Sequence, residues 1–198
     1  MKRETIIIAL ITPLFTIIGI VIGNYLSHQS AQELYLLQRR SELKERTYSR
    51  LMGLKLPLTQ ALRTHLEAKM LSEFYDARYI RLSHRSEDRV ESKRQYQRAL
   101  DLVPKIADLL REVFESLGEV RIAYDLTPEI ETQVNAIYTF SAADISPPGQ
   151  DEIRSEVDLE RWKNKINTQI VQYLDDQYTT KFNSLLPELL KQLKTTRD

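Results

Sequence analysis

Cysteine is absent from all 198 residues, which excludes a disulfide-stapled scaffold, a zinc-thiolate centre and a lipid-acylated cysteine anchor. Glycine is scarce as well. Five residues, two of them inside one apolar run, leave neither a Walker loop nor a GxGxxG turn to cradle phosphate. The three histidines, His28, His65 and His84, stand far apart and belong to neither an HExxH nor a Glu-x-x-His pattern. An excess of one charge is missing too: 28 Lys+Arg face 28 Asp+Glu, so no overall positive field draws in a polyanion and nucleic acid is not expected as a partner. Carboxylate pairs such as Glu73 and Asp76, Asp108 and Glu112, or Asp175 and Asp176 are what any charged helix surface supplies. No catalytic or metal constellation emerges, no cofactor is expected, and the chain reads as a non-enzyme.

What is present is concentrated at the start. After a short basic tail (1–4), TIIIALITPLFTIIGIVIGNYL from Thr5 to Leu26 runs 22 residues without a charge. As a helix it is roughly 33 Å long, enough for the hydrocarbon of a bilayer. A cleaved signal peptide has a shorter apolar region that ends in a small-x-small site, whereas here Asn24-Tyr25-Leu26-Ser27 follows, so 5–26 reads as an uncleaved transmembrane anchor. Lys2 and Arg3 flank one end, and nothing basic follows on the other side until Arg39 and Arg40. That asymmetry leans towards a cytoplasmic N-terminus and a domain outside a cell (inner) membrane.

Small residues line one face of this run. Ala9, Thr12, Thr16, Gly19 and Gly23 recur at steps of three and four, and Gly19 to Gly23 is a GxxxG, a pattern that lets two helix backbones approach in lipid. The same rhythm continues through Ser27, Ser30, Leu34, Leu37, Ser41, Lys44, Tyr48 and Leu51. Ser41 and Lys44 make that a polar seam, and the expected use of Leu34, Leu37 and Leu51 is packing onto the protein's own helices.

Residues 27–198 show helical periodicity throughout, with no sustained period-two alternation, and predict an all-α antiparallel bundle of about four to six helices. The spacing predicts one helix from Gln29 to Leu56 and another from Leu58 to about Leu82, divided at Pro57. The second carries Leu58, Leu62, Leu66, Met70, Phe74 and Ala77 on one side. A third runs from Asp88 to Leu117, its stripe made of Tyr96, Leu100, Val103, Ile106, Leu110, Val113 and Leu117, with Pro104 kinking it or marking its start and Gly118 ending it. Thr127-Pro128 reads as an N-cap with Pro at the first helical position, opening a short helix through Ile130, Val134 and Ile137. A loop at 141–150, SAADISPPGQ, precedes a last pair over about 151–174, with Trp162 on its apolar stripe, and 178–193.

The zero net charge hides a dipolar chain. Residues 39–98 hold 15 Lys+Arg against 8 Asp+Glu, a net of +7, and residues 101–160 hold 4 against 14, a net of −10. Side-by-side neutralisation within one bundle is the simplest account. Arg78, Arg81, Arg85 and Arg89 follow helical steps of three, four and four; on one unbroken helix they form a ridge suited to phosphate or carboxylate, and a break near 83–86 scatters them. The expected function is that of a single-pass membrane protein acting through protein contacts, as scaffold, assembly factor or sensory module, with self-association through the anchor. The alternative is a sensor domain that binds an anionic ligand or lipid headgroup on the Arg ridge.

Overall fold

The computed structural model describes the backbone of residues 2–139 and 153–195 and the side chains of 30–139 and 153–195. Those residues are helical, with no strand among them: α1 (Lys2–Arg78), α2 (Ser86–Ala123), α3 (Pro128–Tyr138), α4 (Glu156–Leu174) and α5 (Thr180–Thr195). Wide π-turns, Tyr79–Ser83 and Asp175–Thr179, follow α1 and join α4 to α5. The chain divides into two compact units, Met1–Leu43 and Lys44–Asp198.

In the second unit, the α1 seam Lys44, Thr47, Leu51, Leu54, Leu58, Ala61, His65, Ala68 and Ser72 advances by threes and fours, and all but the part-buried His65 are buried. This is the repeat that left-handed helix pairs use. α2 meets it in antiparallel register: Arg46 and Thr47 bind Glu119, Arg50 binds Glu115, His65 reaches Ala99, Ser72 reaches Ser92, and Arg78 faces Asp88. At the far end the Tyr124 hydroxyl donates to the Lys44 carbonyl at 2.7 Å. Arg46 and Arg50 thus set part of the basic stretch against the acidic one.

The α4–α5 rod runs antiparallel to α1, with Glu156 near Arg78, Lys163 over the Phe74 ring and Asn183 bonded to Lys55. Its other end ties to α2, where Gln192 exchanges two hydrogen bonds with the Asp125 backbone. α3 lies antiparallel to the end of α2, stacking Tyr138 on Phe114 with ring centroids 5.3 Å apart, and packs on α5. Thr127 caps α3 by accepting from the Ile130 N–H, Pro128 occupies its first turn, and Ile130, Val134 and Ile137 are buried, as the sequence predicts. Trp162 is buried on α4.

Several expected boundaries are absent. α1 continues through Pro57 and α2 through Pro104 and Gly118. A proline inside a helix removes one N–H and orphans the carbonyl four residues earlier. For Pro57, Pro104 and Pro187 those earlier residues are Gly53, Leu100 and Asn183, all exposed like the prolines themselves, so each proline sits on the solvent side of its helix, where its cost is smallest. Gly118 ends nothing because Val120, Ala123 and Tyr124 carry the buried seam onward.

The expected α2 stripe holds at Ile106, Val113 and Leu117 but not before them. Tyr96, Leu100 and Val103 are exposed, and Ser92, Gln95 and Ala99 are buried in their place. α1 presents Ala68 and Ser72 at that level, and small partners let the backbones approach until side chains bond across to carbonyls, Ser72 Oγ to Ser92 at 3.1 Å and His65 Nδ1–H to Ala99 at 2.9 Å.

The rod α4–α5 buries Ile170, Leu174, Tyr178 and Phe182 at successive steps of four. In a pure α-helix each such step drifts about 40° around the axis, because 3.6 residues make a turn. The π-turn at 175–179 inserts the extra residue that keeps all four on one face.

In the first unit, residues 30–40 are exposed, including Leu34, Tyr35, Leu36 and Leu37 at 56–67%. Leu34 and Leu37 therefore do not pack onto the protein's own helices, whereas Leu51 is wholly buried.

Among the described residues no helix is long and apolar enough to cross a membrane. The 5–26 run, its small-residue stripe Ala9, Thr12, Thr16, Gly19 and Gly23, and the 141–150 loop lie outside the residues whose side chains are described.

Candidate functional site

The basic ridge falls where α1 turns into α2. His84 adopts the left-handed conformation (φ 50°, ψ 20°), its N–H closing the π-turn on the Tyr79 carbonyl, and Arg85 is extended at the N-cap of α2. The four arginines consequently do not share one helix. Arg78 ends α1, Arg81 lies in the π-turn, Arg85 precedes α2 and Arg89 lies in its first turns.

Arg78 and Arg89 have partners inside the fold. The Arg78 guanidinium donates to Glu156 on α4 at 3.0 Å and stands 3.7 Å from Asp88 on α2, so one side chain links three helices. Arg89 stacks over the Tyr79 ring, 5.7 Å from its centroid, beside the edge-on His84 ring. Asp88 is buried, accepts from the Ser83 hydroxyl, and sits in the first turn of α2, where a carboxylate complements the helix dipole. The Ser83 hydroxyl in turn accepts from the Arg85 N–H at 3.3 Å. The break expected to scatter the ridge is therefore present, and the cluster is built as a joint between helices.

Beside this joint, α1 and α2 flank a groove of about 450 Å³ lined by Ser72, Glu73, Asp76, Ser92, Lys93, Tyr96 and Gln97. Burial, with Asp76 nearby adding to it, pushes the Glu73 carboxyl above the usual carboxylate range. The walls carry both signs of charge and no nucleophile bonded to a base. Among the described residues no group of three or more metal-ligating side chains converges. His65 is committed to the Ala99 carbonyl, which fixes its proton on Nδ1. Burial also pushes the phenols of Tyr124 and Tyr178 well up, with Tyr48 contributing at the first and Tyr173 at the second.

Exposed apolar side chains among the described residues include the α2 row Tyr96, Leu100 and Val103, of which Tyr96 lines the groove, and the Leu34–Leu37 belt of the first unit. Sequence periodicity assigned the first to the core, and the signal against that was the run of small residues, Ala68 and Ser72, on the facing helix. No family model, curated protein or solved structure matches the chain.

Proposed function

We propose that this chain is a single-pass membrane protein, held by residues 5–26, whose helical domain works through protein contacts as a scaffold, assembly factor or sensory module. The uncharged 22-residue run carries the reading, since nothing in a water-soluble domain calls for that length of charge-free, mostly apolar sequence. Lys2 and Arg3 at one end, with no basic residue at the other until Arg39, favour a cytoplasmic N-terminus and a domain on the outer side of a cell (inner) membrane. Ala9, Thr12, Thr16, Gly19 and Gly23 would supply the contact between two anchors. The partner beyond a second copy is a protein rather than a nucleic acid, in keeping with the zero net charge.

The mass of the purified full chain in detergent, measured by light scattering, tests the self-association. The expected result is an oligomer that becomes a monomer when Gly19→Leu and Gly23→Leu are combined. A wild-type monomer at all concentrations would refute it.

A further inference from the structure

We infer that residues 140–152, which link α3 to α4, dock as an extended strap along α2 and cover its exposed row Tyr96, Leu100 and Val103. The inference is independent of the proposed membrane anchor.

The two ends of this link stand at different heights of the bundle. Tyr138 stacks on Phe114 and donates to its carbonyl at 3.1 Å, so the chain leaves α3 at the level of Phe114. It returns at the buried Ile153, just before Ser155 caps α4 and Glu156 accepts from Arg78, which in turn faces Asp88. Asp88 lies 26 residues from Phe114 along α2, roughly 39 Å at 1.5 Å per residue. Thr139 and Ile153 are 14 residues apart, a length that reaches at most about 46–50 Å fully stretched and about 43 Å as polyproline-type chain. With so little slack, the link takes a nearly straight course along the bundle.

That course follows the exposed row. Tyr96, Val103 and Leu117 share one heptad position on α2, and Leu100, Phe114 and Arg121 share the neighbouring one, so all six lie on one face of a helix packed in sevens. α3 covers the lower half of this face, where Tyr138 stacks on Phe114 and the Asn135 side chain accepts from Arg121. The upper half is the row itself, 43–55% exposed, ahead of the C-terminus of α3.

The sequence of the link suits that face. Phe140 to Gln150 reads FSAADISPPGQ, with one charge, Asp144. Spread evenly over the span, each residue of the strap passes about two of α2, which sets Ile145 beside Leu100 and Val103 and Pro147-Pro148 beside Tyr96. Proline in an extended chain packs well on an aromatic ring. Ordering the strap offsets most of what its apolar contacts gain, so one substitution in the row shifts stability little, and side-chain accessibility is the sensitive readout.

The chain has no cysteine, so introduced cysteines report without background. Leu100→Cys, Val103→Cys and Val171→Cys, at sites 43%, 47% and 48% exposed, are made in the full chain in detergent and their reaction with a maleimide is timed. Positions 100 and 103 are expected to react about tenfold or more slowly than 171, and to match it when residues 140–150 are replaced by a Gly-Ser segment of equal length. Equal rates at all three positions in the natural sequence would overturn the strap. Protection that survives the replacement would overturn it too, in favour of a second copy or another protein on the row. Should the replacement variant lose its helical circular dichroism, paired cysteines decide. Leu100→Cys with Ile145→Cys is expected to form a disulfide within one chain and Val171→Cys with Ile145→Cys is not, since the bond needs Cα atoms within about 7 Å. Equal yields, or none from the first pair, would overturn the strap.

Discussion

Replacing Ser72 by leucine tests the close approach of α1 and α2. The Ser72 hydroxyl already touches the backbone of the opposite helix, 3.1 Å from the Ser92 carbonyl, in a buried layer with Ala68 and Ala99. Leucine adds two heavy atoms against the Ser92 backbone, at the edge of the groove that Ser72 also lines. Overpacking costs about 1–3 kcal/mol and the lost hydrogen bond a further 0.5–1.5, for a total of about 2–4 kcal/mol. Ser72→Ala forfeits only the hydrogen bond, about 0.5–1.5 kcal/mol, because the Ser92 carbonyl keeps its own helical donor. For a unit of this size each kcal/mol lowers Tm by roughly 2–4 °C, so thermal denaturation followed by far-UV circular dichroism separates the two variants. Leu100→Ser, at an exposed site, is expected to change stability by less than about 0.5 kcal/mol. If Ser72→Leu matches wild type while Leu100→Ser unfolds the domain, the helix faces are assigned the wrong way round.

Further expectations concern the helix joints. His84→Gly relieves a left-handed conformation that costs a side chain about 1–2 kcal/mol but frees the unfolded chain, so the denaturation midpoint should rise by the equivalent of about 0.5–1 kcal/mol; a fall would contradict the geometry. Asp88→Ala removes the acceptor of the Ser83 hydroxyl and a neighbour of Arg78, and should cost about 1–3 kcal/mol in the same assay. The pH dependence has two signs. The Ser155 hydroxyl lowers the Asp158 carboxyl, and the Glu129 carboxyl is lowered first by its own backbone N–H and then by Thr127; both stabilise the fold above their unfolded pKa values and lose that contribution as pH falls through the folded ones, so Asp158→Asn should flatten the acid limb of stability. Glu73 is raised by burial, so its ionisation opposes folding as pH climbs through the carboxylate range; Glu73→Gln should stabilise at neutral pH and have no effect at pH values below that range.

Much of the fold was legible because burial followed hydrophobicity. Leu58, Phe74, Val113 and the α3 triad were found by spacing alone, and Thr127-Pro128 marked a helix start through the chemistry of its cap. The upper half of the α1–α2 contact was hidden because Ser72, Ser92 and Gln95 are buried there while Tyr96, Leu100 and Val103 are not. Pro57 and Pro104 were read as boundaries, yet their cost depends on whether water reaches the carbonyl four residues earlier, which sequence alone does not say. The π-turn in α4–α5 did leave a trace in the successive steps of four from Ile170 to Phe182. At the joint, the Arg ridge depended on an unbroken helix, and the residue that breaks it is His84, a non-glycine with little sequence signature for a left-handed conformation.

The account turns on membrane anchorage by residues 5–26, and alkaline extraction of membranes from cells expressing the full chain tests it most directly. The prediction is that the protein stays in the membrane pellet and that Ile17→Arg combined with Ile20→Arg releases it. Wild-type protein recovered in the alkaline supernatant would contradict the claim.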